Sequence, residues 1–600
     1  MKPKRSLETS MSGSSEMRVR PPSFLRQDFG ILFVATLLLV LGSFLVPLHG
    51  VWVTDCGLRY LQLINIVDRH HWGGFWFDYP LRELDPKYEL APFGRIQTFV
   101  HGDRLYCQYP PWFCYLVSPF YALWGRVGMR IVPLASGVGL LFACYGLARQ
   151  LGIRRPAWAA AAVLFAAPIL PYCYIFWDIV PALAAGIAGL YFVLRGLESP
   201  SGRWMLPATA CLLFAFVMRE EYVLWAGSVF LAAALVRRPS RSLLLLAAMT
   251  FGGIGAVMLS NRALVGHYLF FHASTGSGVT LEYSWALATR PVTAFLYLAR
   301  VTSSQLNLSA MGDIVLFFLL CSLAWIATTR RPDVVLALSA IGLCAALVVR
   351  FYLWDNAKPL YTQSYLNSAA GATPLLFAGL RLWSARAWPA HDETRKSTRI
   401  VATASLIFLL ASVWLSVPAS AVGMNFGPRL LLPAYPGLLL AVFAAAPHWY
   451  RGASTQPKLR LAAMMFGALV ALGVVDNGIF LQRLVLKLNL SHRTYEVLRT
   501  LLPDAPILTD QAWLPSDPPE LFYERPILLI QKAEHNPALM DRIVSVAKAL
   551  NSREALVLSV SSRPPAWIRE LGEIEPIPIE ERIRFPDGSF RMHAFRLIYR

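Results

Sequence analysis

The sequence predicts a polytopic α-helical membrane protein, and three observations carry that prediction. Of the 600 residues, 56% are apolar and only 15% charged, against about 45–50% and 25% in ordinary globular chains. Mean hydropathy is +0.48, so there is too little polar surface to cover the chain in water and lipid must cover part of it. Basic residues fall in short clusters between apolar runs, which is how orientation is encoded in a bilayer. The net charge of +19 therefore belongs to topology, and no nucleic-acid partner is expected. The 8 cysteines form no CxxC pair and lie mostly in apolar runs, so neither a zinc site nor a disulfide framework is indicated.

Residues 1–30 carry Lys2, Lys4, Arg5, Arg18, Arg20 and Arg26 and read as a basic cytoplasmic tail. The run from about Ile31 to Leu48 is too long for a signal-peptide core and reads as a retained first span. Further runs centre at about residues 140, 165, 187, 210, 228, 251, 320, 341, 375, 409, 438 and 471. Between them lie the clusters Arg149/Arg154/Arg155, Arg195/Arg203, Arg237/Arg238/Arg241, Arg330/Arg331, Arg381 to Arg399 and Arg451/Lys458/Arg460. Placing every cluster inside gives about thirteen crossings and an external C-terminus. Trp112–Trp124 is apolar but short, with Pro110, Pro111 and Pro119 in or beside it. A crossing there would reverse every later cluster, so it is expected as a surface helix.

Three external parts follow. One is the loop 49–130, rich in Trp, Tyr, Asp and His; another runs from about Asn261 to Met311; the last is the tail 482–600. In that tail, short aliphatic runs at Pro506–Thr509, Pro526–Ile530, Ala555–Val560 and Ala594–Tyr599 surround a helical pattern at Pro537–Leu550. Alternation of this kind predicts a small extracytoplasmic α/β domain.

Ionisable groups at span ends cost energy and usually have a task. Asp55 lies just after the first span, Asp178 opens the fourth, and Arg219, Glu220 and Glu221 turn between the fifth and sixth. Arg262, His267 and Tyr268 follow the seventh, Lys358 and Tyr361 the ninth, and Arg429 opens the twelfth within FGPRLLLP. The topology puts all of them on one side. Carboxylates can take a proton from an attacking hydroxyl while Arg or Lys stabilises departing phosphate oxygens, which suits transfer from a lipid-linked phosphate.

At these residues the chain resembles the GT-C glycosyltransferases, in particular the bacterial branch related to protein O-mannosyltransferases and to the aminoarabinose transferase of lipid A. The resemblance rests on Asp55 and Tyr60 after the first span, the loop ending Gly102-Asp103-Arg104-Leu105-Tyr106-Cys107-Gln108-Tyr109-Pro110-Pro111, Arg149-Gln150-Leu151-Gly152, Asp178, and Phe426-Gly427-Pro428-Arg429. It covers about residues 30–480, through order and spacing more than through any one motif. It implies a GT-C transmembrane catalytic domain at 31–481 and a polyprenyl-phosphate sugar as donor partner. It also implies inverting displacement at the anomeric carbon with Asp55 as base. Asp55 and Asp178 are the catalytic candidates, and Tyr60, Tyr109, Arg219, Arg262, Lys358 and Arg429 the substrate-binding ones. Two departures stand out: Cys56 where many relatives have Glu, and Gln108-Tyr109 before the Pro-Pro pair where some carry Lys.

Blander readings stand beside these. Asp55 can cap a helix, Asp178 can pair with an arginine, Glu220 and Glu221 can be turn charges, and Arg429 can snorkel to headgroups. His70, His71, His101 and Asp103 lack metal-site spacing, so no cofactor is expected, with a divalent metal as the alternative. The competing function is a multi-span transporter or lipid-carrier flippase, although the spans are clean inside and no internal repeat is seen. The expected setting is a bacterial inner membrane with a cytoplasmic N-terminus and a periplasmic C-terminus. Membrane lipids would be partners, with an acceptor that the sequence does not identify.

Overall fold

The computed structural model describes residues 22–73, 76–93, 97–198, 202–270, 373, 392–415, 429–449, 456–512, 514–531, 536–579 and 592–600. Lys358 and the apolar runs expected at about 320, 341 and 375 lie outside the described residues.

Helix α1, Pro22–Ser43, starts inside the stretch expected as tail. Asp28 is already buried there and accepts from the Tyr145 hydroxyl at 3.3 Å. Leu32, Ala35 and Leu39 face inward while Phe29, Phe33, Leu37 and Leu41 are exposed, the spacing of a helix with one packed side and one side for lipid. Helix α2, Thr54–Val67, follows and is buried along nearly its whole length. The outer loop then forms β1 (Trp76–Phe77), β2 (Thr98–His101) and β3 (Arg104–Cys107), an antiparallel sheet in the order β1-β3-β2. The sequence reading had no strands here.

Trp112–Trp124 is helix α3, the segment expected to lie in the membrane surface. Phe113, Cys114, Val117 and Ser118 are buried, whereas Leu123 and Trp124 are exposed. The helix stops at Gly125, and a single 3-10 turn leads into α4, Gly128–Gln150. Helix α5, Pro156–Ala166, opens on proline at a first-turn position where its missing N–H costs nothing. Then come α6 (Ile179–Glu198), α7 (Met205–Met218), α8 (Tyr222–Arg237) and α9 (Arg241–Val265). Ser240 caps α9 by accepting from the Leu243 amide at 3.2 Å. After the undescribed stretch lie α10 (Asp392–Leu415), α11 (Ala434–Trp449) and α12 (Gln456–Thr500). Helix α6 packs on α4 and α7, and α10 on α8 and α11.

Among the described residues, five stretches are long and apolar enough to cross a membrane: Arg26–Ser43, Trp112–Gln150, Ile179–Glu198, Arg241–Val265 and Phe466–Thr500. Four further apolar helices among the described residues are shorter. Helix α5 ends abruptly, and its last carbonyls need partners. The Asn477 side chain of α12 supplies one, donating to the carbonyls of Phe165, Ala167 and its own Gly473 at 2.9 Å each. The approach is so close that a Cβ at Gly473 would overlap the Ala166 carbonyl oxygen.

Helix α12 is a single piece of 45 residues, so the boundary expected at 481/482 falls within it. Buried and exposed side chains alternate on both sides of that point, and the backbone pattern does not break. Beyond it lie β4 (Ile507–Thr509), β5 (Ile527–Leu529), α13 (Pro537–Ala549), β6 (Glu554–Ser559), β7 (Gly572–Ile577) and β8 (His593–Tyr599). They form one sheet in the order β5-β4-β6-β8-β7, parallel across β5-β4-β6 and antiparallel across β6-β8-β7. Strand β7, with Glu573, Pro576 and exposed positions, carried no apolar run to mark it.

The helices share one large apolar core. A second core joins α2, the outer loop and the sheet, through Leu58, Leu61, Phe77, Phe93, Leu508 and Phe522 among others. The sheet and the loop thus close over α2 as one body.

Candidate functional site

Helix α2 sets the site. Asp55, Arg59 and Gln62 recur at helical spacing on one side of it and are all buried. The Gln62 amide donates to the Tyr109 carbonyl at 2.9 Å and Asn65 to the Trp76 carbonyl at 2.8 Å. These bonds fix α2 against the outer loop. A thiol contributes as well, Cys114 Sγ donating to the Arg59 carbonyl at 3.2 Å.

Two charged clusters meet here, one around Asp55 and one around Asp178. The Asp55 carboxylate is ion-paired with Arg429, contributed from far along the chain, and accepts from the Tyr109 hydroxyl. Asp178, just before α6, is wholly buried and held from both sides. Arg59 pairs with one of its oxygens, and Arg219, at the end of α7, reaches the other at 3.0 Å. Arg219 also pairs with Glu221 at 2.5 Å. Aromatic faces cover the guanidinium groups: Arg59 lies 4.6 Å from the Tyr109 ring centroid and Arg429 5.0 Å from that of Trp177. Asp55, Asp178 and Glu221 thus balance Arg59, Arg219 and Arg429. Glu220, beside them, accepts from the Phe270 amide at 2.8 Å.

Burial alone would push the Asp55 carboxyl up. The Arg429 guanidinium, the Tyr109 hydroxyl and the Arg59 charge outweigh it and hold the group below its ordinary value. Tyr109 moves the other way: burial and the Asp55 carboxylate push its hydroxyl well above the ordinary value, so it stays protonated and donates.

The donor inventory is unbalanced. Arg59 Nε and one of its terminal nitrogens, Arg429 Nε and Trp177 Nε1 are buried with no hydrogen-bond partner among the described residues. Buried polar groups are almost always satisfied, so four idle donors around paired carboxylates suit an acceptor-rich ligand. Among the described residues no group of three or more His, Cys, Asp or Glu could hold a metal. Cys56, Cys107 and Cys114 are buried free thiols.

No protein-family model matches the chain, and no curated protein matches it. Among solved structures it is similar to the Archaeoglobus fulgidus oligosaccharyltransferase tethered with an acceptor peptide, at 14% identity and a TM-score of 0.49, over 88% of this chain and 69% of that one. It is also similar to ArnT from Cupriavidus metallidurans bound to undecaprenyl phosphate, at 13% identity and a TM-score of 0.46, over 96% of this chain and 97% of that one. Both belong to the GT-C superfamily, the group the sequence resembles.

Of the residues singled out from the sequence, the structure gathers Asp55, Asp178, Tyr109, Arg219 and Arg429. Tyr60 points elsewhere, its ring 5.3 Å from the Arg126 guanidinium and edge-on to Tyr121. Arg262 is taken up by its neighbour Tyr268, whose hydroxyl accepts from it at 2.5 Å. Sequence reasoning passed over Arg59 and Trp177. Arg59 stands four residues after Asp55, one helical turn on the same side, and that spacing was the available signal. Trp177 directly precedes Asp178, and its place beside that carboxylate was the only signal it carried.

Proposed function

We propose that the chain is an integral-membrane glycosyltransferase of about thirteen spans, with its C-terminal sheet on the outer face of a bacterial inner membrane. It would move a hexosyl or pentosyl group from a polyprenyl-phosphate donor to an extracytoplasmic lipid, glycan or protein. The observation that carries this is the set of idle buried donors on Arg59, Arg429 and Trp177 around a base-competent carboxylate. A sugar phosphate brings the oxygens those donors lack.

The pairing supplies a mechanism. Without donor, Arg429 neutralises Asp55 and keeps it a poor base. A phosphate competing for the Arg429 fork would relieve Asp55 of that charge, and burial would then raise its affinity for a proton. The acceptor hydroxyl gives its proton to Asp55 as its oxygen bonds to the anomeric carbon from the face opposite the phosphate. The carbon–oxygen bond to phosphate breaks, and polyprenyl phosphate leaves with the electron pair, stabilised by arginine. Asp178 would act through Arg59 and Arg219, holding both in place. The neighbouring ArnT structure is of a protein bound to undecaprenyl phosphate, the same chemical class of ligand.

Lipid-reconstituted protein given a panel of radiolabelled polyprenyl-phosphate sugars and a membrane extract tests this. Transfer by wild type should fall about 10²–10⁴-fold in Asp55→Asn, the range of a lost general base. Labelled donor crossing the bilayer unchanged, with equal rates in both proteins, would refute transfer and point to a flippase.

A further inference from the structure

We infer that Lys487 and the turn at residues 514–520 are positioning elements for α2, so that the C-terminal sheet sets the orientation of Asp55. This rests on the transferase reading for its functional meaning, although its geometry stands without it.

Helix α2 has 14 residues and no side-chain cap at its start. A helix that short is marginal alone, so its rotation must be fixed by what it touches. One side carries Asp55 and Arg59. Another meets a turn that links β4 to β5: the backbones approach until a Cβ at Gly57 would overlap the Ser516 carbonyl oxygen. The next residue, Asp517, is ion-paired with Lys487 of α12, and both are buried. Three residues on, Glu520 pairs with Arg126, whose guanidinium covers the Tyr60 ring of α2. The turn is therefore tied to the last long helix on one side and to the outer loop on the other, with α2 between.

A buried ion pair is a weak way to stabilise a fold, since desolvation offsets most of the attraction, but it does fix register. Lys487–Asp517 sits where register matters. A helix residue occupies about 100° of arc, so a slip of α2 by one position would turn Asp55 away from Arg429 and Tyr109.

The protein carries its own reporters. Cys56 lies on α2 next to Asp55, and the Cys114 thiol donates to the α2 backbone. Cys144 and Cys173 share the large apolar core but belong to other elements, α4 and the 3-10 turn Leu170–Cys173. Burial pushes the Cys56 thiol up, which slows its reaction further. Alkylation by N-ethylmaleimide, followed residue by residue with mass spectrometry, needs no sugar donor, so a failed transfer assay leaves this result standing. In Lys487→Met and in Asp517→Asn, Cys56 and Cys114 should react about tenfold faster or more as α2 opens locally, with Cys144 and Cys173 unchanged. Unchanged protection of Cys56 in both variants overturns the inference. So does a rise of all four thiols together in Asp517→Asn, the nearly isosteric change, because the pair would then hold the whole fold rather than α2.

Discussion

Removing the Asp178 carboxylate should cost roughly 3–5 kcal/mol, the range for leaving a buried charge without its partner. The side chains of Arg59 and Asp178 are 2% and 1% exposed, so water cannot take over. In Asp178→Ala, Arg59 loses its ion-pair partner, and two of its nitrogens already lack one. The Tyr109 ring at 4.6 Å covers the guanidinium before and after the change and offsets nothing. Arg219 fares better, keeping Glu221. The reverse deletion is milder: in Arg59→Met, Asp178 retains Arg219 at 3.0 Å, and the loss is one charge-assisted hydrogen bond, about 1.5–3 kcal/mol. The double change Arg59→Met/Asp178→Leu removes both charges and should recover about 1–3 kcal/mol relative to Asp178→Ala. Equilibrium unfolding in mixed micelles gives all three values. An Asp178→Ala protein no less stable than Arg59→Met, or a double variant no better than Asp178→Ala, would refute the reasoning.

Other consequences can be measured alongside. Asp55 has a folded-state pKa below its ordinary 3.8, so it contributes stability that is present above that value and lost as pH falls through the folded one. The melting temperature should therefore drop below about pH 4, and Asp55→Asn should flatten that drop. Gly57→Ala should cost about 1–3 kcal/mol or more, because the atom in the way is backbone and cannot turn aside; a melting curve unchanged from wild type would contradict the close approach. Arg525 donates to the carbonyls of Leu498, Leu501, Leu502 and Ala505, three of them at 2.7–2.9 Å, which closes the end of α12. Arg525→Lys keeps the charge but loses the fork, and hydrogen exchange at residues 498–505 should quicken as if the group were Met.

How far the site could be read in advance depended on what held each residue. Asp55, Asp178, Arg219 and Arg429 were legible because a charge beside an apolar run is conspicuous and expensive. Tyr109 came from its place before Pro110. The pairing among them was not legible: Asp55 could as well have met Arg219 as Arg429, since nothing local encodes which span ends adjoin. Arg262 looked equivalent to Arg219 by position, yet Tyr268, six residues on, occupies it. In the fold, strands β4, β5, β6 and β8 follow aliphatic runs, because buried parallel and central strands need them. The outer-loop strands are two to four residues long, too short for alternation to register. The division at 481/482 was drawn where lipid-like composition ends, but a helix can leave the apolar phase without ending.

The Asp55–Arg429 pair spans 374 residues of sequence, which orders events during synthesis. At about 5–20 residues per second the ribosome needs roughly 20–75 s to travel from one to the other. Through that interval the Asp55 carboxylate lacks its ion-pair partner, with the Tyr109 hydroxyl and the Arg59 charge, both made early, left to stabilise it. The turn at 514–520 emerges later still. Sealing α2 beneath the loop and sheet is thus a closing act of biogenesis: a nascent chain stalled before Arg429 already holds Asp178 to pair with Arg59, but would present Asp55 to the quality-control machinery without its arginine.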